Sequence, residues 1–373
     1  MAIMRDLTLL QRKDLTGTTA LVRIDLNIDP REVKYSPRIS GIVPTIRFLR
    51  SRGARVLLIS HRGRPHGAAD AKLSLKPFVS VLSRQLGESV AFVGEASGSA
   101  RERAIRRSKA KILLLENVRF FKGEEEGDRK VAQSLAALGD IYVNDAFAVS
   151  HRANASVYAI ARLVPSYAGL LLAGESAHLS DIMHTSRKPL VVVIGGAKIS
   201  TKIGLFKAFS KKTHVFLVGG AMANTFLKAR GEDIGGSLYE PDALALARRL
   251  MRSGKIILPV DGVRAGSKIM DIGPKTQKLF LAQLSAAKSV LWNGPLGYTE
   301  DPRFARGTAA LLRAVGRSRA FSVIGGGETA ELVVRLNLTK KFDFVSTGGG
   351  AMLEFLSGKK LPGIEVLKGT RSR

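Results

Sequence analysis

The sequence predicts an α/β fold of two doubly wound parallel-sheet domains that face a central cleft and are joined by a helix. Three observations predict it. Short β-branched apolar runs alternate with longer stretches of helical period, as βα units require. The runs of the first half end in polar side chains, whereas most of those in the second half end in glycine. A helical stretch near 165–189 separates the halves and leaves through Arg187, Lys188 and Pro189.

In chain order, the first half offers LVRIDLN (21–27), RVLLISH (55–61), KILLLEN (111–117) and DIYVNDAF (140–147) as strands. The second half offers LVVVIGG (190–196), VFLVGG (215–220), KIILPVD (255–261), SVLWNGP (289–295), FSVIGGG (321–327) and FDFVSTGGG (342–350). Between strands lie amphipathic stretches such as 302–316, where Phe304, Leu311, Leu312 and Val315 recur at helical spacing. A length of 373 residues accommodates two or three domains. No period of 20 to 50 residues repeats, and the only low-complexity patch is the acidic triplet Glu124–Glu126. Each half is therefore read as a Rossmann-like sheet whose ligands sit at the carboxyl ends of its strands.

Composition narrows the chemistry. There is no cysteine, which excludes disulfides, zinc-thiolate sites, iron–sulfur clusters and a cysteine nucleophile, and fits a reducing cytoplasm. No run reaches the roughly 18 apolar residues of a spanning helix. The formal charge of +28 favours anionic ligands. It is spread along the chain, with +8 in the first hundred residues, +5 in the second, +8 in the third and +7 in the remainder, so no basic arm for nucleic acid stands out.

In the glycine-ended half, GGAK (195–198), GGAM (219–222), GGGET (325–329) and GGGAM (348–352) follow predicted strands and can present backbone N–H groups to phosphate at the next helix. None matches GxxxxGK[ST] or GxGxxG, so neither a P-loop NTPase nor a typical dinucleotide-binding dehydrogenase is indicated. Lys198 and Lys202 are spaced i, i+4 at the predicted start of the next helix, which would put two ammonium groups on one face. Glu328 follows three glycines and offers a hard oxygen to a nucleotide-bound Mg²⁺, or a favourable charge to the helix N-terminus. In the other half, Asp25, Asn27, Arg38, His61, Arg64, Arg119 and Arg152 lie at predicted strand ends or in their loops. Arginine's planar fork suits a small dianion.

The ordered set VRIDLN, RISGIVPTI, SHRGRP, LENVRF, YVNDAF with HRANAS, GGAKIS, WNGPLG, IGGGET and STGGGAMLEFL resembles the phosphoglycerate kinase family over nearly the whole chain. The resemblance implies reversible phosphoryl transfer between 1,3-bisphosphoglycerate and ADP, giving 3-phosphoglycerate and ATP with Mg²⁺, by direct in-line transfer with hinge closure. It implies that Asp25 and Asn27 hold the glycerate hydroxyl and nearby backbone, that His61, Arg64, Arg119 and Arg152 hold the 3-phosphate, and that Arg38 is catalytic. On the nucleotide side it implies Lys198 at the transferred phosphoryl group, Lys202 at the nucleotide phosphates, and Gly195, Gly196, Gly219 and Gly220 around the nucleotide. It places Glu300 at the ribose and Gly325, Gly326, Gly327, Glu328 and Thr329 on the phosphate side, with Glu328 as metal ligand.

The domains implied are 1–170 for the phosphoglycerates, 171–188 as linking helix and hinge, and 189–354 for the nucleotide, with 355–373 returning to the first. A cytoplasmic monomer acting on small molecules, with no membrane or nucleic-acid partner, is expected. The chain departs from the family's pattern in Glu328, where aspartate is usual. It also carries AVS at 148–150 in place of GTA and Arg62 beside the histidine, and its segment between Lys255 and Lys275 is shortened.

Overall fold

The computed structural model describes residues 4–95 and 98–369. Two compact units emerge, Met1–Ser176 with Lys360–Arg373, and Ala177–Lys359. The first contains strands β1 (Thr19–Arg23), β2 (Arg55–Ile59), β3 (Val90–Val93), β4 (Ile112–Leu115), β5 (Ile141–Asn144) and β6 (Ser166–Ala168). They form one parallel sheet in the order β3-β4-β2-β1-β5-β6. Its helices are α1 (Pro37–Ser51), α2 (Val79–Leu86), α3 (Gly98–Arg107), α4 (Arg129–Ala136) and the start of α5 (Leu170–His184). The break between the units falls within α5.

The strand period of two explains how this sheet is covered. Ala20, Val22, Ile24, Val56, Leu58, Ile112, Leu114 and Val143 share a core with Ile39, Ile42, Val43, Ile46 and Leu49 of α1. Helix α1 begins where Ser36 accepts a hydrogen bond from the Arg38 N–H and Pro37 occupies the first turn, so Arg38 is held at a capped helix start. A short helix α13 (Pro362–Glu365) also belongs to this unit: Gly363 N–H donates to Ser150 O at 2.9 Å, and Asn144 Nδ2 donates to Gly363 O at 3.1 Å. Residues 355–359, expected to return with the tail, instead complete and follow the last helix of the second unit.

The second unit contains β7 (Leu190–Ile194), β8 (Val215–Val218), β9 (Ile256–Ile257), β12 (Ser289–Asn293), β13 (Phe321–Gly325) and β14 (Phe344–Val345), and an antiparallel hairpin of β10 (Gly262–Ala265) and β11 (Lys268–Ile272). The six parallel strands run β14-β13-β12-β7-β8-β9. The helices are the remainder of α5, α6 (Ile203–Phe209), α7 (Gly220–Ala229), α8 (Leu244–Met251), α9 (Pro274–Ser285), α10 (Arg306–Arg317), α11 (Gly327–Arg335) and α12 (Gly349–Leu356). Phe304, Leu311, Leu312 and Val315 are buried as their spacing predicts. Strands β3 and β6 and the hairpin lie outside the apolar runs that mark strands in the sequence, and the run 255–261 pairs through Ile256 and Ile257. Among the described residues no helix is long and apolar enough to cross a membrane.

Candidate active site

In the first unit the polar strand ends converge. Asp25, two residues past β1, is buried, and its carboxylate lies 3.2 Å from Arg38 Nη1, which also donates to Asn27 O at 2.9 Å. Burial alone would raise the Asp25 pKa, but the positive charge around it, Arg38 foremost and Arg23 besides, together with the Asn27 N–H, holds the carboxyl below its usual range. Asn27 Oδ1 accepts from Gly63 N–H at 2.9 Å, and Arg119, itself buried, donates to Gly63 O at 2.6 Å. Arg119 and Arg152 approach the same oxygen of Glu125, at 3.1 and 3.7 Å. Arg64 is exposed beside Gly63 with no ion-pair partner among the described residues.

His61 is buried, and its Nδ1 accepts from Arg23 Nη2 at 3.1 Å. Since arginine can only donate, the ring proton sits on Nε2. Burial, reinforced by Arg23, pushes the His61 pKa well below its ordinary value, so the ring is neutral. The 3.9 Å approach of His61 Nδ1 to Asp25 is therefore not an ion pair.

Residues without an assigned role in the sequence prove to support these groups. Arg23 Nε donates to Ser156 Oγ at 3.0 Å, and Ser156 donates from N and Oγ to the buried Glu124 carboxylate at 3.0 and 2.5 Å. Asn117 ties two loops together by donating to Arg62 O and Leu73 O and accepting from the N–H groups of Arg62 and Arg119. Arg62 turns aside to Lys72 O and the Phe78 ring. An arginine inside a run that reads as a fully buried strand was the available sign of Arg23's role.

Burial raises the Glu124 carboxyl to about 7 and that of Asp145, which receives the N–H groups of Leu171 and Leu172 at the start of α5, also to about 7. Both groups keep a proton in the folded chain that the unfolded chain releases from about pH 4. They therefore lower stability progressively as pH rises to 7 and not beyond. Glu124→Gln should flatten this decline by roughly 3 kcal/mol across that window, measured by urea unfolding at pH 5 and pH 7.5. An unchanged slope would mean that Glu124 ionises normally. His61 acts with the opposite sign, so the comparison with wild type isolates the carboxyl.

In the second unit, glycines bring strand ends into contact. A Cβ on Gly195 would lie 1.9 Å from Pro295 O, and Gly220, at φ +66°, allows α7 to begin against Gly196. A cavity of about 610 Å³ opens beside them, with Gly196, Gly220, Glu300 and Glu328 among its lining residues. Gly195, Gly219, Lys198, Lys202, Gly325, Gly326, Gly327 and Thr329 lie outside that lining. Gly326 and Gly327 open α11, whose first turn carries exposed Glu328 and buried Thr329. Thr329 Oγ1 is buried with no hydrogen-bond partner among the described residues.

The two lysines do not share an α-helical face. A 3₁₀ turn at Ser200–Lys202 precedes α6, and buried Ile199 fixes its rotation. Lys198 is thereby exposed near Glu240, while Lys202 turns inward to donate to Asn293 Oδ1 at the end of β12. Burial lowers the Lys202 pKa to about 8, partly offset by Glu328.

The family model described as phosphoglycerate kinase matches residues 10–359. The chain belongs to the phosphoglycerate kinase family. Relatives bearing that name include the protein of Dictyoglomus turgidum, 41% identical over 96% of this chain and 98% of the relative, and that of Rubrobacter xylanophilus, 42% identical over 95% and 96%. Among solved structures, phosphoglycerate kinase from Coxiella burnetii is similar with a TM-score of 0.80 at 35% identity, covering 98% of this chain and 99% of that one. The Pyrococcus horikoshii enzyme gives a TM-score of 0.87 at 28% identity, with 98% of each chain covered. As a phosphoglycerate kinase family member the chain is a phosphotransferase of the class with a carboxyl acceptor.

Proposed function

We propose that the chain transfers a phosphoryl group reversibly between 1,3-bisphosphoglycerate and ADP, giving 3-phosphoglycerate and ATP, as in glycolysis and gluconeogenesis. The proposal rests chiefly on the cluster of Arg38, ionised Asp25 and Asn27 beside the His61, Arg119 and Arg152 group, which suits a hydroxy acid bearing one phosphate. In the direction of ATP formation, an oxygen of the ADP β-phosphate attacks the acyl phosphorus. A new P–O bond forms, the bond to the carboxyl oxygen breaks, and a carboxylate leaves. In reverse that carboxylate is the nucleophile. It is ionised at neutral pH, so no general base is needed and catalysis falls to positioning and positive charge.

In this scheme Asp25 and Asn27 take the glycerate hydroxyl and nearby backbone, and Arg64, Arg119, Arg152 and the Nε2–H of His61 take the 3-phosphate. Arg38 and Lys198 neutralise charge on the migrating group, and Lys202 binds the nucleotide phosphates. Gly195, Gly196, Gly219 and Gly220 surround the nucleotide, Glu300 its ribose, and the Gly325–Thr329 turn its phosphate side. Among the described residues there is no cluster of three metal-ligating side chains, which suits Mg²⁺ held mainly by nucleotide phosphates with one carboxylate, Glu328, and the unpaired Thr329 hydroxyl nearby. The ion, when bound, neutralises phosphate oxygens. The domains proposed are those of the two binding duties, joined through 171–188, in a cytoplasmic monomer acting on small molecules.

A coupled assay with 3-phosphoglycerate and Mg-ATP tests the function, and absence of turnover would refute it. In the same assay Glu328→Gln should raise KM for Mg-ATP about tenfold and leave that for 3-phosphoglycerate unchanged. Equal losses for both substrates would make Glu328 a structural residue.

A further inference from the structure

The acidic triplet has no place in the transfer scheme, yet two of its members, Glu124 and Glu125, sit beside the arginines of the anion cage. Glu124 is pinned: its side chain is buried on Ser156, and its carbonyl accepts from Ala155 N–H at 2.9 Å and Asn154 Nδ2 at 3.3 Å. The next side chain points elsewhere. Glu125 Oε1 lies 3.1 Å from Arg119 Nη2 and 3.7 Å from Arg152 Nη1. The Arg119 side chain is only 4% exposed, whereas that of Glu125 is 29% exposed. The buried cation thus has one arm on Gly63 O and the other on a carboxylate that can leave for water by side-chain rotation alone.

We propose that Glu125 is a resident anion of the arginine cage, occupying the place of the substrate phosphate in the empty enzyme and setting the charge a ligand must bring to displace it. The inference rests on the reading of Arg119 and Arg152 as phosphate ligands. Arg23, Arg119 and Arg152 surround a neutral His61, so an empty cage would hold repelling, partly desolvated cations. Glu125 offsets that repulsion at the cost of competing with the ligand. A monoanionic carboxylate arriving there exchanges like for like and gains little. A phosphate dianion brings greater charge and a third oxygen, so the exchange favours phosphorylated acids over their unphosphorylated forms.

Calorimetric titration of the whole chain with 3-phosphoglycerate and with glycerate, for wild type, Glu125→Gln and Arg152→Ala, tests this. Removing a competing, partly exposed ion pair should tighten 3-phosphoglycerate about fivefold in Glu125→Gln and tighten glycerate at least as much, since its carboxylate no longer has to displace a like charge, while Arg152→Ala weakens 3-phosphoglycerate. If Glu125→Gln binds 3-phosphoglycerate no better or more weakly while Arg152→Ala also weakens it, the cage stands and Glu125 merely positions its arginines. If neither variant changes 3-phosphoglycerate binding, the phosphate assignment itself falls and the proposal with it. Glu125→Ala carries the same expectation as Glu125→Gln, so a folding defect in one variant leaves the test intact.

Discussion

Arg38→Ala is expected to lower kcat by about a thousandfold or more while nucleotide affinity stays near wild type. Arg38 is the cation that meets both the buried Asp25 carboxylate and the Asn27 carbonyl, and its side chain is 22% exposed, so one part of the guanidinium is anchored while the rest remains available. A group fixed before the substrate arrives needs no reorganisation when charge develops on the transferred phosphoryl oxygens, which is where one preorganised donor has its largest effect. Arg38→Lys should recover only part of the loss, because a point charge cannot hold Asp25, Asn27 and a phosphoryl oxygen together as a planar fork can. The truncation also leaves Asp25 buried beside less positive charge, so a clear drop in thermal midpoint should accompany it, while the chain stays folded at the assay temperature and the lost turnover is read on folded enzyme. Turnover in the coupled assay and thermal unfolding by circular dichroism separate the two effects. A kcat loss below tenfold would remove Arg38 from the catalytic centre.

The legible parts of this molecule share a physical property: they are written in contiguous residues. RVLLISH and LVVVIGG announce buried parallel strands because both faces are covered and the apolar run is unbroken, and the polar or glycine residues closing each run must lie at a strand end. That is why Asp25, His61 and Arg119 are placed at strand ends by the sequence alone, without their partners. Strand β3 is half-buried at an edge, and β6 has three residues, so neither produces a run distinguishable from a loop. The hairpin of β10 and β11 has an entirely exposed first strand, whose residues carry no apolar alternation.

Within the site, the unread residues are those whose meaning depends on a distant partner. Arg23 bonds His61, 38 residues away, and is itself held by Ser156, 133 residues away. Glu124 and Glu125 look like one charged patch until the fold sends one side chain inward to Ser156 and the other to two arginines. The lysine spacing failed for a local reason: i, i+4 implies a shared face only in an α-helix, and the 3₁₀ turn before α6 breaks that periodicity.

Lys202 carries the second large effect. In the free enzyme its ammonium is charged below about pH 8 and neutral above, because burial opposes the charge more than Glu328 supports it. If the ammonium binds nucleotide phosphates, kcat/KM for Mg-ATP should fall tenfold per pH unit above 8, while kcat should hold to higher pH because bound phosphate favours the charged form. Lys202→Arg, which stays charged, should flatten that limb, and Lys202→Met should reduce kcat/KM at pH 7 by about a hundredfold to a thousandfold.

Stability should move the other way. The folded pKa of about 8 lies below the ordinary lysine value of 10.5, so the folded chain bears the full cost of the buried charge below pH 8 and recovers it as pH rises from 8 towards 10.5. That cost is of order 3 kcal/mol at 1.36 kcal/mol per pKa unit, and methionine fills similar space without it. Urea unfolding at pH 7 should therefore find Lys202→Met more stable than wild type. A residue retained for packing would lose stability on replacement, whereas one held in place for phosphate binding loses only activity. A wild-type profile flat to pH 9.5, or a methionine variant that unfolds more easily, would show that the ammonium is not held in the costly buried state on which its binding role depends.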